Sequence, residues 1–95
     1  MINSNQRAYL KKLAHGTKPV LNIGKDGVKN ETIIALDQAL NSRELIKIKI
    51  LNNNLDDRDQ LIDTLLVNLN ADFVQYIGNI LTIYRPAKEA TIVLP

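Results

Sequence analysis

The sequence Gly24-Lys25-Asp26-Gly27 has residue types and spacing suited to binding an anion. Glycines at both ends of a short turn allow the backbone to approach a ligand closely. Helical spacing follows the turn, and the free N–H groups and positive end of a helix attract phosphate. Lys25 and, just beyond the turn, Lys29 add positive charge. The sequence therefore predicts a phosphate-binding loop at residues 24–27, called the glycine loop below.

The glycine loop also has a plainer interpretation. KH domains clamp a nucleic-acid backbone with a loop of this Gly-x-x-Gly spacing, but the spacing alone is more often an ordinary turn between a strand and a helix. The carboxylate of Asp26 at the loop tip would also repel a phosphate at close range. Phosphate binding is favoured by basic residues on the elements around the loop: Arg7, Lys11, Lys12, Lys18 and Lys29.

Positive charge is concentrated in the first half of the chain. Residues 1–49 carry nine Lys and Arg residues against four Asp and Glu residues, whereas residues 50–95 carry three against six. If the first helix packs beside the first strand, its basic residues and the glycine loop form one continuous surface for a polyanion. The helical lysines could instead be a solvated amphipathic face, and Lys47 and Lys49 could merely protect a strand edge from aggregation.

Catalytic and metal-binding interpretations have less support. The acidic residues between 56 and 63 are explained by helix capping and the helix dipole. His15, the only histidine, precedes Gly16 and is more simply a cation or cap at a helix end than a catalyst. An enzyme acting on a phosphorylated metabolite would need a general base near the glycine loop, where only Asp26 is available. The chain has no cysteine. We therefore expect no enzymatic activity, no metal and no other cofactor.

Secondary structure must position these residues, and hydrophobic periodicity with turn signals predicts seven elements in the order α-β-α-β-α-β-β. They are a helix over about 5–15, a strand over 19–23, a helix over 30–42, a strand over 45–50, a helix from 56, and strands over 72–77 and 80–84. The helix caps are expected at Ser4 or Asn5, at Asn30 and at Asp56. Crossover helices require the first three strands to be parallel, and Gly78-Asn79 predicts a hairpin that makes the last pair antiparallel.

The fold class is therefore α/β, with a mixed four-stranded sheet packed with helices. Alternation in the second strand predicts that the isoleucines at 46, 48 and 50 share one face, while Lys47 and Lys49 share the other. The aromatic residues could stack on bases, although each fits an apolar pattern that predicts core packing for most of them: Tyr9, Phe73, Tyr76 and Tyr84. The segment after about residue 86 is expected to be a flexible tail or to add a short strand at 91–93.

Several segments, in order along nearly the whole chain, resemble the bacterial YhbY-like proteins, which consist of one chloroplast RNA-splicing and ribosome-maturation (CRM) domain. These segments are Gln6–Leu10 with Leu13 and Ala14, Pro19–Val28, Ala39–Ile50, Gln75–Gly78 and Leu81–Arg85. The resemblance implies a fold like the C-terminal domain of translation initiation factor three, with an added N-terminal helix and the sheet order 1-2-4-3. It also implies binding to structured RNA and association with precursor large ribosomal subunits.

The resemblance also implies where RNA would bind. The Gly-x-x-Gly loop of the family corresponds to Gly24, Lys25, Asp26 and Gly27, and its basic surface to neighbouring lysines and arginines, here Lys29, Arg7, Lys11, Lys12 and Lys18. We expect residues 1–95 to form a single-domain, monomeric, cytoplasmic protein whose partner is rRNA or a large-subunit precursor. No membrane and no small-molecule substrate are expected. The alternative is an adaptor that docks on a ribosomal protein.

Overall fold

A computed structural model describes all 95 residues and contains three helices and four strands in the predicted order. The helices are α1 (Ser4–Ala14), α2 (Asn30–Arg43) and α3 (Arg58–Leu69), and the strands are β1 (Leu21–Ile23), β2 (Leu45–Ile50), β3 (Asp72–Ile77) and β4 (Ile80–Tyr84). The α/β class is therefore confirmed. None of the three helices combines the length and apolar character needed to cross a lipid bilayer.

The four strands form one mixed sheet in the order β1-β2-β4-β3, as the family resemblance implies. Strand β1 is parallel to β2, and β4 is antiparallel to both of its neighbours, so β1, β2 and β3 run in one direction. Because β2 is an interior strand, the interpretation of Lys47 and Lys49 as protection for a sheet edge is wrong. The hairpin between β3 and β4 turns at Gly78 and Asn79, whose φ angles of 58° and 63° fit the type I′ turn.

The larger hydrophobic core lies between one face of the sheet and helices α2 and α3. Alternate residues of β2 and β4 point into it, which confirms the predicted sidedness of β2. Because lysines occupy the intervening positions of β2, this strand presents apolar side chains to the core and cations to the opposite face. The core residues are Ile23, Leu36, Leu40, Ile46, Ile48, Leu65, Leu69, Leu81 and Ile83.

A smaller core lies on the opposite face of the sheet, under α1. Leu10 of α1 packs there with Ile2, Val74 and Tyr84. Helix α1 packs mainly on β2, β3 and β4, so the condition that it packs beside β1, on which the continuous basic surface depended, is not met. The helix begins at Ser4 because Asn3 is its cap: Asn3 Oδ1 accepts a hydrogen bond from Gln6 N–H, and Gln6 Oε1 accepts one from Asn3 N–H. The caps expected at Ser4 or Asn5 are therefore wrong by one or two residues.

The segment after β4 has no regular structure, yet it is attached to the fold through Glu44. The Glu44 carboxylate, which is only 1% exposed, accepts hydrogen bonds from the N–H groups of Ala87, Thr91 and Ile92 and from the Thr91 hydroxyl, at 2.6–3.1 Å. Beyond these contacts, the side chains at 92 and 94 pack on the smaller core. The segment thus forms no strand at 91–93, and it helps to hold α1 against the sheet.

Candidate nucleic-acid interface

The glycine loop follows β1 at one edge of the sheet. The N–H of Gly27 donates a hydrogen bond to the carbonyl of Gly24 at 3.1 Å, which closes a four-residue turn. Gly27 has a φ of 71°, in the left-handed region that favours glycine. Lys25 and Asp26 at the tip of the turn are both exposed. The structure therefore has the compact turn that the sequence predicts.

A polar cluster supports the glycine loop from behind, and its members were not predicted as part of the site. Buried Asn54 donates to the carbonyl of Gly24 at 2.8 Å. Arg58 in turn donates to the side-chain and main-chain oxygens of Asn54, and to the carbonyls of Leu51 and Asp56. The only sequence signal for this cluster is the turn-rich Asn52-Asn53-Asn54 stretch followed by an arginine.

A side chain at either glycine of the loop would come close to a neighbouring polar side chain. A Cβ on Gly24 would lie 3.2 Å from Asn53 Oδ1, and one on Gly27 would lie 3.0 Å from the Asp56 carboxylate. An aspartate at position 27 would therefore combine an unfavourable φ with a second carboxylate beside Asp56. Substitution of Gly27 would disturb the fold as well as any ligand, and Lys25 is the better residue for testing the loop.

Two carboxylates lie near the start of α2, next to the loop. Asp26 forms an exposed ion pair with Lys29, with 3.6 Å between Oδ2 and Nζ. Lys29, rather than the predicted Asn30, occupies the cap position, and its N–H donates to the hydroxyl of Thr32 at 3.2 Å. Glu31 follows in the first turn. Two carboxylates, those of Asp26 and Glu31, therefore lie at the positive end of this helix.

A second concave site lies between α1 and the open part of the sheet, which we call the cation groove. It has a volume of about 490 Å³ and is lined by Lys11, Lys12, Ala14, His15, Lys47, Gln75 and Thr82. Three lysines and the only histidine thus converge from α1 and β2. No carboxylate lines the groove, and none of its cations forms an ion pair, because the two ion pairs of the molecule are Lys29–Asp26 and Arg85–Asp37.

The basic surface continues from the cation groove toward the glycine loop. Lys49 is exposed on the same face as Lys47, two residues or roughly 7 Å further along β2. It pairs with Asn22 of β1, two residues before Gly24. Lys18 is exposed in the link that leads into β1, where the N–H of Val20 donates to the carbonyl of Lys47. Lys18 therefore lies two residues before the residue that is hydrogen-bonded to β2.

Arg7, another predicted binding residue, does not line the cation groove. The Nε of Arg7 donates to the carbonyl of Phe73 at 3.1 Å, at the β3 edge of the sheet opposite the glycine loop. The continuous surface from Arg7 to Lys25 was predicted on the condition that α1 packs beside β1, and α1 packs on β2, β3 and β4 instead. Lys11 and Lys12, in the last turn of α1, line the groove together with Lys47 of β2 and Thr82 of β4.

The aromatic side chains divide evenly between the core and the surface. Tyr84 is buried and Tyr76 packs partly against the larger core, as predicted. Tyr9 and Phe73 are 37% and 36% exposed, so the core placement predicted for most of the aromatic residues fails for these two. None of the four lines the cation groove.

The fold and the groove together define a class of protein, the small α/β domain with unpaired cations gathered on one face of its sheet. Residues 2–85 match the CRS1 / YhbY (CRM) domain. The chain belongs to this family, as its sequence motifs indicate.

Individual relatives cover nearly the whole chain. It is 36% identical over 94 residues to an RNA-binding protein of Haemophilus influenzae, covering 99% of this chain and 95% of that protein. It is 34% identical over 89 residues to the "Probable RNA-binding protein YqeI" of Bacillus subtilis, covering 94% and 93%. The solution structure of SAV1595 from Staphylococcus aureus superimposes with a TM-score of 0.83, at 41% identity and with both chains fully covered.

Proposed function

We propose that residues 1–95 act as one RNA-binding domain that associates with precursors of the large ribosomal subunit and assists their assembly. The observation that carries this proposal is the cation groove, where three lysines and a histidine converge without a neighbouring carboxylate. The relatives named as RNA-binding proteins support the RNA-binding part of the proposal. The protein recognises rRNA through its phosphate backbone and its shape, and it acts by binding, without turnover chemistry.

The proposed binding follows from simple electrostatics. RNA concentrates counterions around its phosphates, and each lysine that contacts a phosphate releases some of them. Lys11, Lys12 and Lys47 lie in the groove and Lys49 lies close to it, so several phosphates can be neutralised at once. The acidic residues of α3 lie on the other side of the sheet, and this distribution favours one orientation of the protein on RNA.

The affinity for rRNA is expected to fall steeply with salt. With about four or five phosphate contacts, at about −0.7 to −0.9 per contact, the slope of log affinity against log salt concentration is about −3 to −4.5. Filter binding of the protein to a large-subunit rRNA fragment at 50, 100 and 200 mM KCl measures this slope. A flat response would contradict the electrostatic mechanism. Co-sedimentation with ribosomal subunits and precursors at low salt tests the assembly role separately.

A second candidate function is an adaptor that docks on a basic segment of a ribosomal protein. A groove of about 390 Å³ runs between α3 and the β3 edge, with Ile62, Leu66, Phe73 and Tyr76 as its apolar lining and Asp59 and Asp63 beside them. Neither aspartate forms an ion pair, so the groove is complementary to a segment that combines lysines with apolar anchors.

The adaptor candidate has its own test. A synthetic peptide alternating lysine with leucine is expected to bind the parent, and Asp63→Asn and Phe73→Ser are each expected to weaken binding several-fold. Calorimetry with purified protein measures the affinities, and a peptide with glutamate at each lysine position is the control. Equal binding of both peptides, or no effect of either substitution, would argue against this surface. Partners that remain bound after complete RNA digestion would favour the adaptor over the RNA-binding function.

A further inference from the structure

We propose that the cation groove, rather than the glycine loop, is the principal phosphate-binding site of this protein, and that it holds the RNA backbone without reading bases. The proposal rests on the RNA-binding function proposed above and assigns it to particular residues. The glycine loop becomes a secondary contact at the edge of the same surface.

The two sites differ first in their local charge. The groove brings together Lys11, Lys12, Lys47 and His15 with no carboxylate among its lining residues. At the glycine loop, by contrast, Asp26 is paired with Lys29, which lies just beyond the loop, and the Asp56 carboxylate lies behind Gly27. A phosphate at the loop would approach several carboxylates, whereas one in the groove would meet only cations and neutral groups.

Hydrogen bonds within the fold hold the carboxylates of Asp56 and Asp57 near the glycine loop. Asp56 Oδ2 accepts a hydrogen bond from the same Asn54 amide group that supports the carbonyl of Gly24. Asp57 caps α3, where its Oδ1 accepts from the N–H groups of Asp59 and Gln60. This negative charge is therefore held near the loop by the fold, and a rotation of one exposed side chain cannot remove it.

The two sites also differ in rigidity. Lys47 belongs to an interior strand whose backbone is paired on both sides, and its side chain is partly buried. The helix that carries Lys11 and Lys12 is fixed by its capping box and by Leu10 in the smaller core. Lys25 lies on an exposed turn. Less side-chain entropy is therefore lost when the partly buried Lys47 binds a phosphate than when the exposed Lys25 does.

The lining of the groove indicates what it recognises. Sequence-dependent recognition of single-stranded RNA commonly uses several aromatic side chains on which bases stack, whereas the groove is lined by no Phe, Tyr or Trp and the imidazole of His15 is its only ring. Besides its cations it presents only Ala14, Gln75 and Thr82. Cations at fixed positions match a phosphate backbone, so binding is expected to depend on the charge and shape of the RNA more than on its sequence.

Two double variants that remove equal charge provide the test. Lys12→Gln with Lys47→Gln alters the groove, and Lys25→Gln with Lys29→Gln alters the loop. Glutamine preserves most of the side-chain length, and circular dichroism checks the fold. A third variant, Lys11→Gln with Lys12→Gln, changes only exposed positions on α1, so it tests the groove even if substitution of Lys47 disturbs the sheet.

Fluorescence anisotropy with a labelled RNA hairpin at 100 mM KCl measures the affinities. Each groove variant is expected to bind roughly 30-fold more weakly, with a salt slope about 1.5 smaller, because two phosphate contacts are lost. The loop variant is expected to lose less than about threefold, because its lysines are not the main contacts. A loss in the loop variant that equals or exceeds the loss in the groove variants would overturn the proposal.

A second hairpin of the same length, with the two strands of its stem exchanged, tests the recognition of bases. The parent is expected to bind the two hairpins within about threefold of each other, and a larger difference would overturn backbone-only binding. If the parent binds neither hairpin, the proposed RNA-binding function itself is wrong. If it binds both and the groove variants bind as tightly as the parent, only the assignment to the groove fails.

Discussion

Glu44→Gln is expected to lower the free energy of unfolding by about 2–3 kcal/mol, because it weakens charge-assisted hydrogen bonds inside the fold. The carboxylate accepts four hydrogen bonds, from Ala87, Thr91 and Ile92. A glutamine has only one acceptor oxygen, and its amide group would face donors that it cannot satisfy. The segment after residue 86 should then detach and expose part of the smaller core.

The same residue is expected to make stability depend on pH. Burial by itself raises the pKa of the Glu44 carboxyl, but the hydrogen bonds from Thr91, Ala87 and Ile92 outweigh it and hold the pKa at about 2, below the ordinary 4.5. Because the folded-state pKa is lowered, the carboxylate contributes its full stabilisation above about pH 4.5. This contribution is lost as the pH falls through that window toward 2.

Urea unfolding between pH 2.5 and 6 measures both effects. The parent should lose stability steadily below about pH 4.5, and Glu44→Gln should start lower and change less over the same range. Glu89→Gln is the matched control, because Glu89 is exposed and forms no ion pair or side-chain hydrogen bond. Identical pH profiles for the parent and Glu44→Gln would show that the carboxylate does not hold the terminal segment.

Arg58→Met is the second substitution with a large expected effect, a loss of about 2–4 kcal/mol in the free energy of unfolding. It leaves the carbonyls of Leu51 and Asp56 and both oxygens of Asn54 without the guanidinium that they share. Since Asn54 supports the carbonyl of Gly24, the glycine loop should lose its fixed shape before the rest of the sheet unfolds.

Hydrogen exchange and urea unfolding distinguish the local effect from the global one. In Arg58→Met, the amide of Gly27, which is bonded to the carbonyl of Gly24, should exchange faster than amides in β2. Arg43→Met is the matched control, because Arg43 is exposed at the end of α2 and its side chain forms no hydrogen bond; it should change stability by less than about 0.5 kcal/mol. Equal stability of the two variants would contradict the supporting role of Arg58.

Much of the fold could be predicted from local patterns. The alternation of isoleucine with lysine in β2 indicates both a strand and its two faces, and Gly78-Asn79 specifies the hairpin because both residues adopt positive φ readily. The caps were harder to predict. Asn3 caps α1 because Gln6 stands at the position that completes a reciprocal pair, and several nearby polar residues offer similar local signals.

The candidate site could be predicted only in part. The glycine loop is visible in the sequence because its residues are contiguous. The cation groove is not, because it depends on the line that α1 takes across the sheet, and that line is set by Leu10 packing on Val74 and Tyr84. The same packing places Arg7 beside β3, where its side chain donates to the carbonyl of Phe73. The supporting role of Asn54 and Arg58 could not be predicted, because a buried polar cluster produces no periodic pattern in the sequence.

The alternation in β2 also limits how the length of this strand can change. Insertion of one residue between Leu45 and Ile46 would shift every following side chain to the opposite face. Lys47 and Lys49 would then enter the larger core, and Ile48 would face solvent in their place. Folding and ligand binding would fail together, so insertions and deletions in this strand should be tolerated far less than substitutions among its exposed residues.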